Sequence, residues 1–191
     1  MDIFKLINDQ LNNQDTLKKL GQSVGAEPSQ VQQLAQLGMP AILQALGRNA
    51  STSEGAAALV SALDQHQDEN VDDVQGFLSS VNTDDGAKML QHIFVGNNDR
   101  VQNNLAKQTG LDMGQVSGIM AQLTPLLLGA LAQKKKQQNL DPSEITGVLT
   151  GLMEQGDNGG LMGMVTNLLD SDNDGSIVDD VGSLLKGFLK K

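Results

Sequence analysis

Residues 20–49, LGQSVGAEPSQVQQLAQLGMPAILQALGRN, decide how this chain is read, because residues 105–134, LAKQTGLDMGQVSGIMAQLTPLLLGALAQK, lie over them without a gap at an offset of 85. Leu20, Gly25, Gln30, Val31, Pro40, Ala45 and Leu46 fall on Leu105, Gly110, Gln115, Val116, Pro125, Ala130 and Leu131. After a five-residue insertion at the Lys134–Lys136 run the match resumes, SEGAAALVSALDQ (53–65) over SEITGVLTGLMEQ (143–155). Two copies of one helical unit explain this most simply. The expected organisation is an N-terminal copy, residues 1–97, and a C-terminal copy, residues 98–191, packed as one domain.

Within each copy the apolar residues recur at helical spacing, the signature of one buried face. Val31, Leu34, Gly38, Ile42 and Ala45 form one stripe, and Val116, Ile119, Met120, Leu123 and Leu127 its counterpart. The next helices bury Ala56, Leu59, Val60 and Leu63, and Ile145, Val148, Leu149 and Leu152. Capping boxes are expected at Ser51–Glu54 and Asp141–Glu144, where a side-chain oxygen satisfies a free N–H and a Glu reaches back. Pro40 and Pro125 stand inside the longest patterns and are expected to kink or split them, since proline lacks the donor and crowds the preceding turn. Shorter helices are expected over 2–12, 15–24, 71–81, 86–95, 98–109, 160–169 and 180–189.

Composition narrows the function. With no Trp, no Tyr and four Phe, the core must come from Leu, Ile, Val, Met and Ala, which suits an all-α fold of ten or eleven helices. A formal charge of −10 opposes nucleic-acid binding, which needs a field of Lys and Arg. The absence of cysteine removes thiolate chemistry and disulfides. The start, MDIFKLINDQL, lacks a basic segment before an apolar run, and the most apolar stretch, 119–132, falls short of a membrane span. A cytoplasmic protein is therefore expected.

The pattern most suggestive of a ligand is LDSDNDGSIVDDV, residues 169–181. In an EF-hand-type or dockerin-like loop, oxygens at positions 1, 3 and 5 face one cation, Gly at 6 allows the turn, residue 7 offers its carbonyl, and position 12 closes the shell. Asp170, Asp172, Asp174, Gly175 and Ser176 fill the first half. Position 12 is Val181, so Asp179 or Asp180 must complete the set, or water does. Ca2+ is the expected ion and Mg2+ the weaker candidate, because a flexible all-oxygen loop suits the larger cation. The alternative is an acidic turn whose Asp179 caps the last helix. Aligning Gly86 with Gly175 gives the first copy the turn without its ligands, so one cation site is expected.

HIFVGNNDRVQNNLAKQTGLDMGQVSGIMAQLTPLLLGAL (92–131) followed by the late Asp-rich loop resembles the bacterial family known as domain of unknown function 937. His92, Phe94, Gly96, Thr109, Gly110, Leu111, Asp112 and Pro125 carry the resemblance, and LGQSVGAEPSQV is similar to the related YidB-like proteins. The resemblance implies an all-α bacterial protein and no activity.

His66 and His92 are the only imidazoles and belong to no catalytic pattern, so His92 is expected to pack or hydrogen-bond between the copies. The acids of DQHQDENVDD (64–73) read as a solvated helix junction, and Lys134–Lys136 as the basic end of a long helix. The expected function is a non-enzymatic structural or protein-interaction module with one cation loop, its protein partner unidentified and no organic cofactor. A hydrolase using the Asp170–Asp180 cluster or other carboxylates is the alternative, and a helical groove for a peptide or lipid a third reading.

Overall fold

Two long helices organise the molecule, and both begin where a Gly turn is followed by a capping residue and a glutamine three places on. The structure is a computed structural model and describes residues 3–156. In chain order it contains α1 (Ile3–Leu11), α2 (Gln14–Gln22), α3 (Pro28–Asn49), α4 (Ser53–Gln65), α5 (Val74–Ser80), α6 (Thr83–Phe94), α7 (Asn98–Thr109), α8 (Met113–Gln138) and α9 (Pro142–Gly156), with no strand among the described residues. The expected all-α fold is observed. The expected helices 160–169 and 180–189 lie outside the described residues.

α8 is the central element. Every residue from Ile119 to Ala132 is buried, as a helix apolar on all sides requires. α6 packs most extensively on it, followed by α3, α7, α4 and α5, and α1 and α2 also touch it. α3 packs on α2, α8 and α9. The helices cross between the two halves: α4 and α6 lie on α8, while α9 lies on α3 and α4. One apolar core therefore draws on both halves, from Leu20, Leu34 and Ile42 to Leu105, Leu123 and Leu149.

Both prolines leave their helices unbroken, so neither helix is split. Pro125 deprives the Ala121 carbonyl of its helical donor. α6 meets that carbonyl with Gly86, where a β-carbon would stand 1.8 Å from the Ala121 oxygen. The bare Cα thereby comes against the carbonyl that Pro125 leaves without an amide, a weaker Cα–H···O partner.

The starts of α4 and α6 differ from expectation for identifiable reasons. The cap of α4 is Thr52, whose Oγ1 accepts from Gly55 N at 3.1 Å, because Ser51 is already engaged at the end of α3, its Oγ donating to the Arg48 carbonyl at 2.7 Å. α6 begins at Thr83 because Asn82 Oδ1 accepts from the Asp84 and Asp85 amides. Gly86 is thus inside the first turn of α6, while Gly175, its counterpart in the alignment, lies outside the described residues. The Asp141–Glu144 box forms as expected, Asp141 N donating to Glu144 Oε2 and Glu144 N to Asp141 Oδ1, both at 2.9 Å.

Candidate functional site

The expected cation ligands Asp170, Asp172, Asp174, Ser176, Asp179 and Asp180 lie outside the described residues. Among the described residues no group of three or more His, Asp or Glu is arranged to hold a metal ion. Two other arrangements emerge from the geometry: a reciprocal bond between the two long helices' starts, and a cleft.

Gly25 and Gly110 adopt left-handed conformations, φ +69° and +70°, which glycine reaches without a Cβ penalty. Each turn then enters a long helix. Gln30 accepts from Glu27 N through Oε1 at 3.3 Å, and Gln115 accepts from Asp112 N at 3.0 Å. The other end of each amide crosses to the opposite half. Gln30 Nε2 donates to the carbonyls of Thr109 and Gly110 at 3.4 and 3.3 Å; Gln115 Nε2 donates to those of Val24 and Gly25 at 3.3 and 3.0 Å. Donors and acceptors on the two sides are related by the same offset of 85. Sequence comparison shows the glutamines as matching positions; that each serves the other half appears only in three dimensions.

A cleft of about 480 Å³ opens between α5, α6 and α8, with the 69–73 segment on its rim. Pro125, Phe77 and Met89 supply apolar lining and Glu69, Asp73 and Asp85 the charge. Local structure fixes each acid. Asp73 Oδ1 caps α5 by accepting from Gly76 N at 2.9 Å. Asp85 sits in the first turn of α6, at the positive end of its dipole. Glu69 is held by His66, Nδ1 to Oε1 2.7 Å, while its Oε2 is buried without a hydrogen-bond partner. The cleft therefore combines negative charge with an apolar floor, which suits a side chain carrying a cation on an aliphatic stem. No motif announces it, since its walls come from residues 69–89 and 125.

The remaining candidates are accounted for structurally. His66 is engaged with Glu69, whereas His92 is exposed on α6, so it does not pack between the halves as expected. Its neighbours Ile93 and Phe94 take the buried face. Lys135 pairs with Asp64, and Lys136 Nζ lies 2.8 Å from Asp68 Oδ1, so this basic run meets the acids of 64–73. Asp141 has its pKa lowered by the Ser143 hydroxyl first, then by the Glu144 and Ser143 amides. α8 is, among the described residues, the one helix long and apolar enough to cross a membrane; its best window has a mean hydropathy of 1.3 and is 83% buried in the protein.

Fold and cleft together define an all-helical protein built on a buried central helix, with an acid-rimmed, apolar-floored recess beside it. The chain belongs to the family described as bacterial protein of unknown function DUF937, whose model matches residues 5–134. That match spans α1 to the last turns of α8 and stops short of the Asp170–Asp180 loop. No curated protein and no solved structure matches the chain.

Proposed function

We propose that this protein is a non-catalytic, duplicated helical scaffold that binds a partner protein through the cleft between α5, α6 and α8. The observation that carries the reading is the combination of Glu69, Asp73 and Asp85 with Phe77, Met89 and Pro125 around one recess of about 480 Å³. A partner helix bearing Lys or Arg beside Leu satisfies both halves of that lining. The duplication is supported by the sequence match at offset 85 and by the paired Gln30 and Gln115 bonds.

The test uses two labelled peptides of helical spacing, one of Leu and Lys and one of Leu and Glu, titrated with the full chain. The basic peptide binds, and Asp85→Lys weakens it about tenfold, the effect of ~1.4 kcal/mol. Equal binding of both peptides, or no effect of the substitution, overturns the assignment.

The loop at Asp170–Asp180 acts, in this reading, as a Ca2+ staple before the last helix; its support is the ligand spacing alone. Calorimetric titration of Ca2+ into chelator-treated protein gives binding heat and a raised melting temperature. No heat and no shift at millimolar ion removes the staple and leaves the cleft assignment standing.

A further inference from the structure

We propose that residues 160–189 pack along the Gln36–Gly47 side of α3, doing for that helix what α5 and α6 do for α8. The inference rests on the duplicated reading above and goes beyond it by naming what covers an incompletely covered helix face.

The two long helices differ on that side. Ala121, Thr124, Pro125, Gly129 and Ala132 are all buried. Their counterparts at offset 85 are Gln36, which is exposed, and Met39, Pro40, Gln44 and Gly47, which are half-buried. α8 owes its cover to chain that follows α4: residues 66–73 run beside its last turns, with Gln133 Nε2 donating to the Glu69 carbonyl at 3.2 Å, and α5 and α6 then lie on it. α9, at the position matching α4, rests on α3 and α4, as α4 rests on α8, so the remaining chain follows a helix that lies on α3. Residues 157–191 then supply about as much chain as residues 66–97.

The sequence of that remaining chain has the faces the position needs. VQGFLSSV (74–81) lies over LMGMVTNL (161–168), pairing Val74 with Leu161, Gly76 with Gly163, Phe77 with Met164 and Leu78 with Val165. TDDGAKMLQHIF (83–94) lies over VDDVGSLLKGFL (178–189), pairing Asp84 and Asp85 with Asp179 and Asp180. Leu90, Ile93 and Phe94, which α6 buries, correspond to Leu185, Phe188 and Leu189. The glycine of close approach shifts by one place, from Gly86 to Gly182 rather than Val181. Between the two matched blocks Leu169–Ser176 is additional chain, and it contains Asp170, Asp172 and Asp174. The acidic loop is thereby an insertion between two docking elements.

Because the chain has no cysteine, engineered pairs report the docking directly. In the full chain, Gln36→Cys with Gly182→Cys forms an intramolecular disulfide on mild oxidation, whereas Lys107→Cys with Gly182→Cys, placed on exposed α7, does not. In Leu184→Glu/Leu185→Glu, oxidation of half-buried Met39 accelerates several-fold while fully buried Met120 is unchanged and helical circular dichroism is retained. Equal cross-linking of both pairs, cross-linking of neither, an intermolecular disulfide, or an unaltered Met39 overturns the proposal. Gln30→Ala and Gln115→Ala separate the two ideas: equal costs with failed cross-linking reject the docking alone, and unequal costs reject the duplication beneath it.

Discussion

Replacing Gly86 with Ala tests the contact that seats α6 on α8. The added β-carbon would lie 1.8 Å from the Ala121 oxygen, 2.8 Å from its carbonyl carbon and 3.1 Å from its Cα. All three are backbone atoms of a buried helix, so no side chain can swing aside. Reaching an ordinary contact of 3.4 Å needs α6 to retreat by about 1.6 Å at this point. That movement loosens Leu90, Ile93 and Phe94, which α6 sets into the core. Overpacking of this kind costs ~1–3 kcal/mol, here at the upper end or beyond because backbone must move, and the better helix propensity of Ala returns ~1 kcal/mol. A net loss of ~2 kcal/mol is expected, read as a lower urea midpoint at constant slope by far-ultraviolet circular dichroism. Gly147→Ala is the matched control: it lies within α9 with nothing inside 4 Å of a new β-carbon, and gains up to ~1 kcal/mol. Opposite signs support the argument. A Gly86→Ala protein as stable as the parent refutes it.

Other substitutions probe the core, the surface and pH. Met120→Ala removes a fully buried side chain and costs ~2–5 kcal/mol in denaturant unfolding. Gly38→Ala, whose β-carbon would meet Met120 Sδ at 2.4 Å, costs less in the Met120→Ala background than alone, a coupling that a double-mutant cycle measures. Lys136→Ala breaks a largely exposed pair with Asp68 and changes the midpoint by less than ~0.5 kcal/mol. Asp141 has a lowered folded-state pKa, so its contribution is present above the ordinary value of 3.8 and is lost as pH falls through the folded value. The protection of the Ser143 and Glu144 amides, taken as exchange relative to the unfolded-chain rate at each pH, therefore falls on acidification below that range, and Asp141→Ala removes that fall.

Much of the fold is legible residue by residue. The stripes from Val31 to Ala45 and from Val116 to Leu127 lie in the core because helical spacing leaves them one apolar side. The Asp141–Glu144 box forms because both partners are local. Misreadings arise where a residue has a competing use: Ser51 closes α3 and passes the cap of α4 to Thr52, and Asn82 caps α6 so that it starts at Thr83, three residues before the expected start. Pro125 reads as a break, yet the helix continues because surrounding elements bury it and Gly86 meets the carbonyl it leaves without an amide. The cleft is illegible in one dimension, since its acids come from a cap, a helix start and a loop, while its floor comes from Pro125 much later in the chain.

The paired glutamines bear most directly on the claim that two equivalent units interlock. Each amide donates to two carbonyls of the other half and accepts one amide of its own, so Gln30→Ala and Gln115→Ala should each cost ~1.5–4.5 kcal/mol at ~0.5–1.5 kcal/mol per net hydrogen bond. Urea unfolding of the two single variants, side by side, is the measurement. The account predicts a loss of comparable size in both variants, because each removes the same set of bonds. A full loss for one glutamine with none for the other contradicts it.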